Sequence, residues 1–304
     1  MLLVSLLAVI IGILLGLLGG GGSILTVPVL VYLADISAKS AISTSLIVVG
    51  CTSIIATYNH ARKKNVCWKT GAIFGIAGML GAFLGGRLTV YIPDALLLVL
   101  LGIVMLIASF SMLLGNRTAN NDSNNSNNTH TENTSFCPTE LPIIAILLDG
   151  FFLGVITGLV GVGGGFLLVP ALTHLASLPI HAAIGTSLFI IVLQSTAGLL
   201  GQAAHINVDL ELTAIITSLA ILGSFIGSKI AHYLPASLLK QGFGYFVLLL
   251  GGWLLYKEVN QSVIIQIEML IEEYQQFITG ASTMIAVMLI YRIWLWLHTK
   301  TNKI

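Results

Sequence analysis

The stretch "GLLGGGGSILTVPVL", residues 16–30, decides the fold of this chain. Four adjacent glycines interrupt an apolar sequence, and Pro28 follows shortly after them. Each glycine in a helix interior costs about 1 kcal/mol relative to alanine, so the run disfavours a continuous helix. Pro28 lacks the N–H that the helical ladder uses and predicts a second break. The stretch therefore predicts an apolar helix broken at Gly20, Gly21 and Gly22, followed by a short helix that begins near Ser23.

The composition around this stretch is that of a membrane protein. Of 304 residues, 56% are hydrophobic and only 8% are charged, whereas soluble domains carry about 25% charged residues. Apolar runs of membrane-spanning length recur, for example over residues 2–18, 41–57 and 95–114. In lipid the backbone is satisfied only in helices or closed barrels, and unbroken apolar runs lack the alternation of barrel strands. The composition predicts an all-α polytopic membrane protein.

The glycine-rich stretch occurs twice. Residues 16–46 and 158–188 are identical at 16 of 31 positions without a gap, at an offset of 142. Gly163, Gly164 and Gly165 occupy the positions of Gly21, Gly22 and Ser23, and Pro170 occupies that of Pro28. Such self-similarity predicts two copies of one structural unit of roughly 110 residues.

The repeat predicts the organisation of the chain. The segment between the copies is a polar, Asn-rich tract of the kind that stays disordered. Beyond the second copy, an apolar stretch near residues 277–297 predicts one more spanning helix, with interfacial aromatic residues. The predicted regions are transmembrane repeat 1 (1–114), an Asn-rich disordered linker (115–140), transmembrane repeat 2 (141–256), and a polar loop with an extra C-terminal transmembrane helix (257–304).

Loop charge bears on whether the copies are parallel or inverted. Residues 59–69 include four basic side chains, whereas the equivalent residues 201–211 include none and have two acidic ones. If the short segments after the glycines cross the membrane, each copy crosses five times, and the basic residues divide 10 to 3 between the two sides. If those segments only dip in and return, the division is 6 to 7. Because basic residues concentrate on the cytoplasmic side, the inverted arrangement is predicted.

The glycine runs predict an anion site. The motifs for nucleotide phosphates are absent, since neither run is followed by the required Lys. A short helix that begins inside the membrane presents free N–H groups and a partial positive charge, which favour an anion. Hydroxyl groups shortly after each run either donate to the same anion or cap their own helices. The predicted substrate-binding residues are Gly20, Gly21, Gly22, Ser23, Thr44, Ser45, Gly163, Gly164, Gly165, Thr186 and Ser187.

Other small or polar residues have two interpretations each. Gly81 and Gly85, like Gly223 and Gly227, have the spacing that packs helices closely. Hydroxyls at positions 52, 53 and 195, with the amide at 194, either face the solute or bond to their own helices.

The few intramembrane charges also have two interpretations each. Arg87 and Lys229 are equivalent by the repeat and either form a cation at each mouth of an anion path or extend to lipid headgroups. Asp149 has no acidic equivalent and is either a coupling acid or a residue at a helix end.

The sequence argues against several other functions. The formal charge of +1 gives no indication of nucleic-acid binding. Histidines lack neighbouring ligands at metal-binding spacing, so no metal site is predicted. Hydrolase and protease motifs and paired carboxylates are absent, so no catalytic residue and no cofactor are predicted. The expected partners are a small inorganic or organic anion and the lipid bilayer.

The duplicated segments "GGGGSILTVPVL" and "GVGGGFLLVPAL", each followed by a "TSL" triplet, resemble the TauE/SafE sulfite exporter family. The resemblance covers about residues 2–256. It implies a multi-pass permease of the bacterial inner membrane that moves small anions, notably sulfite and organosulfonates.

These observations predict a secondary transporter that binds an anion between the two short helices near the bilayer midplane. Two other functions stay open at this point. A cation or metal-ion carrier would need intramembrane acids, and a membrane assembly protein would need no solute path.

Overall fold

The structure is a computed structural model that describes residues 2–18, 21–114, 143–175, 178–203, 208–230 and 236–259. Within these ranges all regular structure is helical, with a short 3-10 helix at Gly21–Leu25. The predicted linker and C-terminal span lie outside the described residues, the span within a separate unit from Lys257 onwards. The α-helices are α1 (Leu2–Leu18), α2 (Thr26–Leu33), α3 (Ala38–Arg62), α4 (Trp68–Thr89), α5 (Asp94–Leu114), α6 (Ile143–Val160), α7 (Gly165–Leu175), α8 (Ile180–Gln202), α9 (Leu210–Ile230) and α10 (Ala236–Glu258).

Several of the helices have the length and apolarity of membrane spans. Large apolar side chains such as Ile76 and Leu80 on α4 point outward, where lipid rather than water is their favourable neighbour. The prediction of an all-α polytopic membrane protein is therefore confirmed. Four segments in the described ranges are long and apolar enough to cross a membrane, namely Ala38–Arg62, Trp68–Thr89, Ala182–Gln202 and Leu210–Gly227.

The helices follow one order twice along the chain. The helices α8, α9 and α10 begin 142 residues after α3, α4 and α5, and α6 and α7 follow α1 and α2 at nearly the same distance. This is the offset at which the two sequence segments match. The helix bounds thus follow the same spacing as the sequence similarity.

Glycines spaced four residues apart seat helices of one half against helices of the other. Gly81 on α4 lies so close to the carbonyl of Phe151 on α6 that a Cβ atom would collide with it. Gly223 on α9 has the same relation to the carbonyl of Val9 on α1. Each residue of the first contact lies 142 positions from its equivalent in the second. The predicted packing role of these glycines is confirmed.

The helices α3 and α8 cross in opposite directions at the centre of the described region. Near the start of α3, Ser43 hydrogen-bonds Gln202 at the end of α8. Further along α3, a Cβ at Gly50 would lie 3.3 Å from the Cβ of Ser195. Residue numbers therefore rise along α3 as they fall along α8, so the two helices are antiparallel.

Two groups of buried apolar side chains surround this crossing. One involves α1, α2, α3, α5, α9 and α10 and includes Leu30, Ile42 and Met105. The other includes Phe74 on α4 and Ile190 on α8. Both groups are apolar, so buried polar side chains on α3 and α8, such as Ser45 and Gln194, lie in a largely apolar interior.

Candidate functional site

The second glycine run breaks the chain between α6 and α7. Gly161, Gly163 and Gly164 have φ angles of 71°, 69° and 65°, a region that other residues rarely adopt. The carbonyl of Gly164 accepts hydrogen bonds from the amides of Leu167 and Leu168, each at 2.9 Å, so α7 begins directly after it. The predicted break is confirmed, and it leaves the first N–H groups of α7 without acceptors in their own helix.

The first glycine run has a different conformation. Gly21, Gly22 and Ser23 belong to the 3-10 helix, which continues directly into α2, and Gly20 lies outside the described residues. A Cβ at Gly22 would lie 2.5 Å from the amide nitrogen of Leu15, so glycine lets this segment pack back onto α1. The 3-10 helix also contacts α7, so the two segments that follow the glycine runs meet.

The prolines do not end helices. Pro28 is the third residue of α2, and Pro170 lies in the interior of α7. Both helices continue through them, in contrast to the predicted second breaks. For Pro28 the reason is its place in the first turn of α2, where a missing N–H removes no bond of that α-helix. Neither proline therefore breaks the helix in which it lies.

One predicted hydroxyl belongs to the helix that packs against the Gly161–Gly164 turn. The turn packs against α3, since Gly161 lies beside Ile42 and Gly163 beside Val49. Ser45 lies on the same helical face, about one turn from each of these residues. The Ser45 side chain is fully buried, and its hydroxyl has no hydrogen-bond partner in the described part of the chain. An unpaired donor is thus located on α3 between the two residues that contact the turn.

The other predicted hydroxyls have different surroundings. Thr186 accepts a hydrogen bond from the amide of Cys67 at 3.0 Å, and Ser187 donates to the carbonyl of Ile184 at 2.8 Å. Thr44 is buried next to Ser45. None of the four caps a helix, because α3 begins at Ala38 and α8 at Ile180, well before them. The capping alternative is therefore wrong.

Further unpaired polar groups extend this site along α3 and α8. Gln194 is fully buried, and neither its amide nitrogen nor its amide oxygen has a partner among the residues described. The hydroxyls of Ser53 and Ser195 are also buried and unpaired there. Thr52, by contrast, donates to the carbonyls of Val48 and Val49, as back-bonding predicts. Sequence reasoning identified Ser53, Gln194 and Ser195 as polar but could not separate them from Thr52.

The three predicted charges lie elsewhere. Arg87 is exposed near the end of α4, and Lys229 is the penultimate residue of α9, with its side chain outside the described part. Asp149 is 6% exposed and lies in the interior of α6 rather than at its end. In the described ranges no cluster of His, Cys, Asp and Glu side chains could hold a metal ion.

The site is thus built from neutral hydrogen-bonding groups. It comprises the start of α7, whose first N–H groups have no acceptor in their own helix, the Gln194 amide beside Gly164, and the buried, unpaired hydroxyls of Ser45 and Ser53 on α3 and Ser195 on α8. Buried polar groups are costly unless they find partners, so this concentration suits a ligand with several polar atoms.

Comparison with known proteins gives consistent results. Residues 4–254 match the family described as sulfite exporter TauE/SafE. A probable membrane transporter protein of Xylella fastidiosa (strain 9a5c) is 34% identical over 251 residues, which are 82% of this chain and 92% of that protein. The probable membrane transporter protein YdhB of Bacillus subtilis (strain 168) is 29% identical over 247 residues, 79% of this chain and 94% of that protein. No solved structure gives a significant match.

Proposed function

Because this chain belongs to the sulfite exporter TauE/SafE family of membrane transporters, we propose that it carries a small anion, such as sulfite or an organosulfonate, across the cell inner membrane. The anion binds at the start of α7, against Gly163, Gly164 and Gly165. The opposite wall of the site is the Ser45 face of α3.

A single observation supports this site most strongly. The glycine turn before α7 contacts Ile42 and Val49 on α3, and the buried, unpaired Ser45 hydroxyl belongs to a residue between these two on the same helix. Free N–H groups and the positive end of the helix dipole stabilise negative charge, and a hydroxyl adds a donor to an oxygen of the ligand. Irregular backbone at membrane depth is tolerated where it is buried or lines a cavity, which a transported solute requires.

In this proposal the first glycine run contributes a third wall of the site, in addition to the start of α7 and the Ser45 face of α3. Gly21, Gly22 and Ser23 lie in the 3-10 helix that contacts α7. Because they have a different backbone conformation, their contribution differs from that of Gly163 and Gly164. The start of α7 therefore supplies most of the backbone N–H donors to the anion.

We also propose that the two halves are inverted repeats. The antiparallel crossing of α3 and α8 and the equivalent glycine contacts support a rotation that reverses helix direction. Such a rotation places Arg87 and Lys229 near opposite faces of the membrane, one cation at each mouth. Inverted repeats of this kind alternate access to a shared midplane site in many transporters.

Anion flux into proteoliposomes tests the proposal. Gly163→Ala and Gly164→Ala each force a left-handed conformation on alanine, at a cost of about 1 to 2 kcal/mol. The added methyl group also meets Val49 at the first position and the Thr157 hydroxyl at the second. We expect sulfite and organosulfonate flux to fall roughly tenfold or more, because about 1.4 kcal/mol of strain in the binding site corresponds to a tenfold loss of affinity. Gly252→Ala is the control, because a Cβ there would meet no atom within 4 Å. Equal flux in all three variants would contradict the proposed site.

A further inference from the structure

We infer that the transported anion also carries a hydrogen-bond donor, an O–H or N–H group, which the side chain of Gln194 recognises. The inference rests on the proposed function and narrows its substrate class. It concerns a singly protonated oxyanion or an anion with a hydroxyl or amino substituent, as distinct from a fully deprotonated oxyanion.

The position of Gln194 places its amide at the proposed site. A Cβ at Gly164 would lie 3.4 Å from the amide oxygen of Gln194, so this oxygen borders the turn before α7. On the other side, a Cβ at Gly78 on α4 would collide with the amide nitrogen. The absence of a side chain at both positions makes room for the amide.

The side-chain amide of Gln194 contains both a hydrogen-bond donor, its NH₂ group, and a hydrogen-bond acceptor, its carbonyl oxygen. Its NH₂ can donate to a ligand oxygen, as can the hydroxyls of Ser53 and Ser195. Its carbonyl oxygen only accepts, so a ligand with acceptor atoms alone leaves it unpaired or opposed to negative charge. A ligand with an O–H or N–H satisfies both ends of the amide. Since a buried, unpaired carbonyl is unfavourable, the site favours such a ligand.

The equivalent position in the first half does not repeat this arrangement. Thr52 lies 142 residues before Gln194, and its hydroxyl bonds to carbonyls of its own helix at 2.7 and 3.0 Å. In this inference, Gln194 on α8 recognises the O–H or N–H group of the anion, and Thr52, its equivalent on α3, does not. Thr52 provides a matched control at the equivalent place.

Two pairs of probes in proteoliposomes test the inference. The first compares 2-hydroxyethanesulfonate with ethanesulfonate, which has the same charge but no hydroxyl. The second compares sulfite flux at acidic and alkaline pH, where the singly protonated ion and the dianion respectively predominate. The first pair isolates a substituent donor and the second isolates a proton on the oxyanion itself.

We expect the native protein to prefer the donor-bearing probe of at least one pair by about tenfold or more, because an unpaired group in the site penalises the analogue. Gln194→Met keeps the length of the side chain without hydrogen bonding and should abolish this preference. Thr52→Val should retain it. Gly78→Ala, which displaces the amide without removing it, should weaken it and serves as a second test if Gln194→Met does not fold.

The outcomes separate the inference from the function on which it rests. Anion flux without preference in either pair, or a preference that persists in Gln194→Met, overturns the inference and leaves the proposed transport intact. If Gln194→Met does not fold, an unchanged preference in Gly78→Ala overturns it instead. The absence of any anion flux above empty liposomes overturns both.

Discussion

The hydroxyl of Ser43 on α3 donates to the side-chain oxygen of Gln202 at the end of α8. The amide nitrogen of Gln202 in turn donates to the carbonyl of Gly158 on α6 at 3.1 Å. Gln202 and Gln194 are both fully buried on the same helix, eight residues apart. One glutamine thus ties three helices together, while the other has no partner among the described residues.

This contrast predicts opposite effects on stability. Gln202→Leu removes the hydrogen bonds to Ser43 and to the carbonyl of Gly158, although Ser43 can still donate to the Lys39 carbonyl and the Gly158 carbonyl still accepts from Thr89. Because each lost hydrogen bond contributes about 0.5 to 1.5 kcal/mol, we expect a loss of about 1 to 3 kcal/mol in unfolding free energy. Gln194→Leu removes unpaired groups, so we expect unchanged or higher stability together with altered transport. Thermal unfolding of both variants in detergent measures the difference. A comparable loss in Gln194→Leu would show that its amide has a structural partner.

The glycine contacts between helices predict paired packing defects. Gly81→Ala and Gly223→Ala each place a methyl group against a carbonyl of the facing helix. We expect each to destabilise the fold by about 1 to 3 kcal/mol through overpacking. The yield of monodisperse protein and its unfolding temperature measure the effect, with Gly252→Ala as the unhindered control. A large effect at only one of the two glycines would contradict the equivalence of the contacts.

The inverted arrangement predicts the sides of two loops. Lys64, after α3, and Asp209, before α9, are both exposed and so open to labelling. In a background without native cysteines, we expect Lys64→Cys to react only with reagents that reach the cytoplasm. Asp209→Cys should react with impermeant reagents from outside. Labelling of both from the same side would contradict inversion.

Asp149 separates anion transport from the cation alternative. A carrier that uses this carboxylate to bind a cation or proton loses transport when the charge is removed. Under the proposed anion site, α7, α3 and α8 supply the ligand groups, so we expect Asp149→Asn to retain anion flux within a few fold of the native value. Flux assays with anions and with monovalent cations make the comparison. Loss of cation flux on neutralisation would favour the cation alternative.

The glycine break could be predicted because its cause is local. The low helix propensity of adjacent glycines is a property of the residues themselves. The apolar runs predicted the helices in the same way. The φ angles are not fixed in this way, since Gly163 and Gly164 have positive φ whereas the equivalent Gly21 and Gly22 belong to a 3-10 helix. The Pro28 prediction failed because the effect of a proline depends on its place within the helix, and α2 begins only two residues earlier.

The partners of polar residues could not be predicted. Thr52 and Ser53 are adjacent and both buried, yet only Thr52 bonds to its own helix in the described structure. Which hydroxyl stays unpaired depends on the helix that faces it, and the sequence does not show that helix. The Gln194 amide fits at the proposed site only because Gly78 and Gly164 have no side chain, and both are distant from Gln194 in sequence.

The exchange of partners between the halves has a consequence for biogenesis. Gly81 on α4 packs against α6, and Val9 on α1 packs against α9. When α1 to α5 leave the ribosome, these closely packed surfaces do not yet have their partner helices. Until α6 and α9 are inserted, the surfaces of α4 and α1 that will contact them face lipid. The first half therefore cannot complete its own packing, and assembly is completed only after most of the chain has been synthesised.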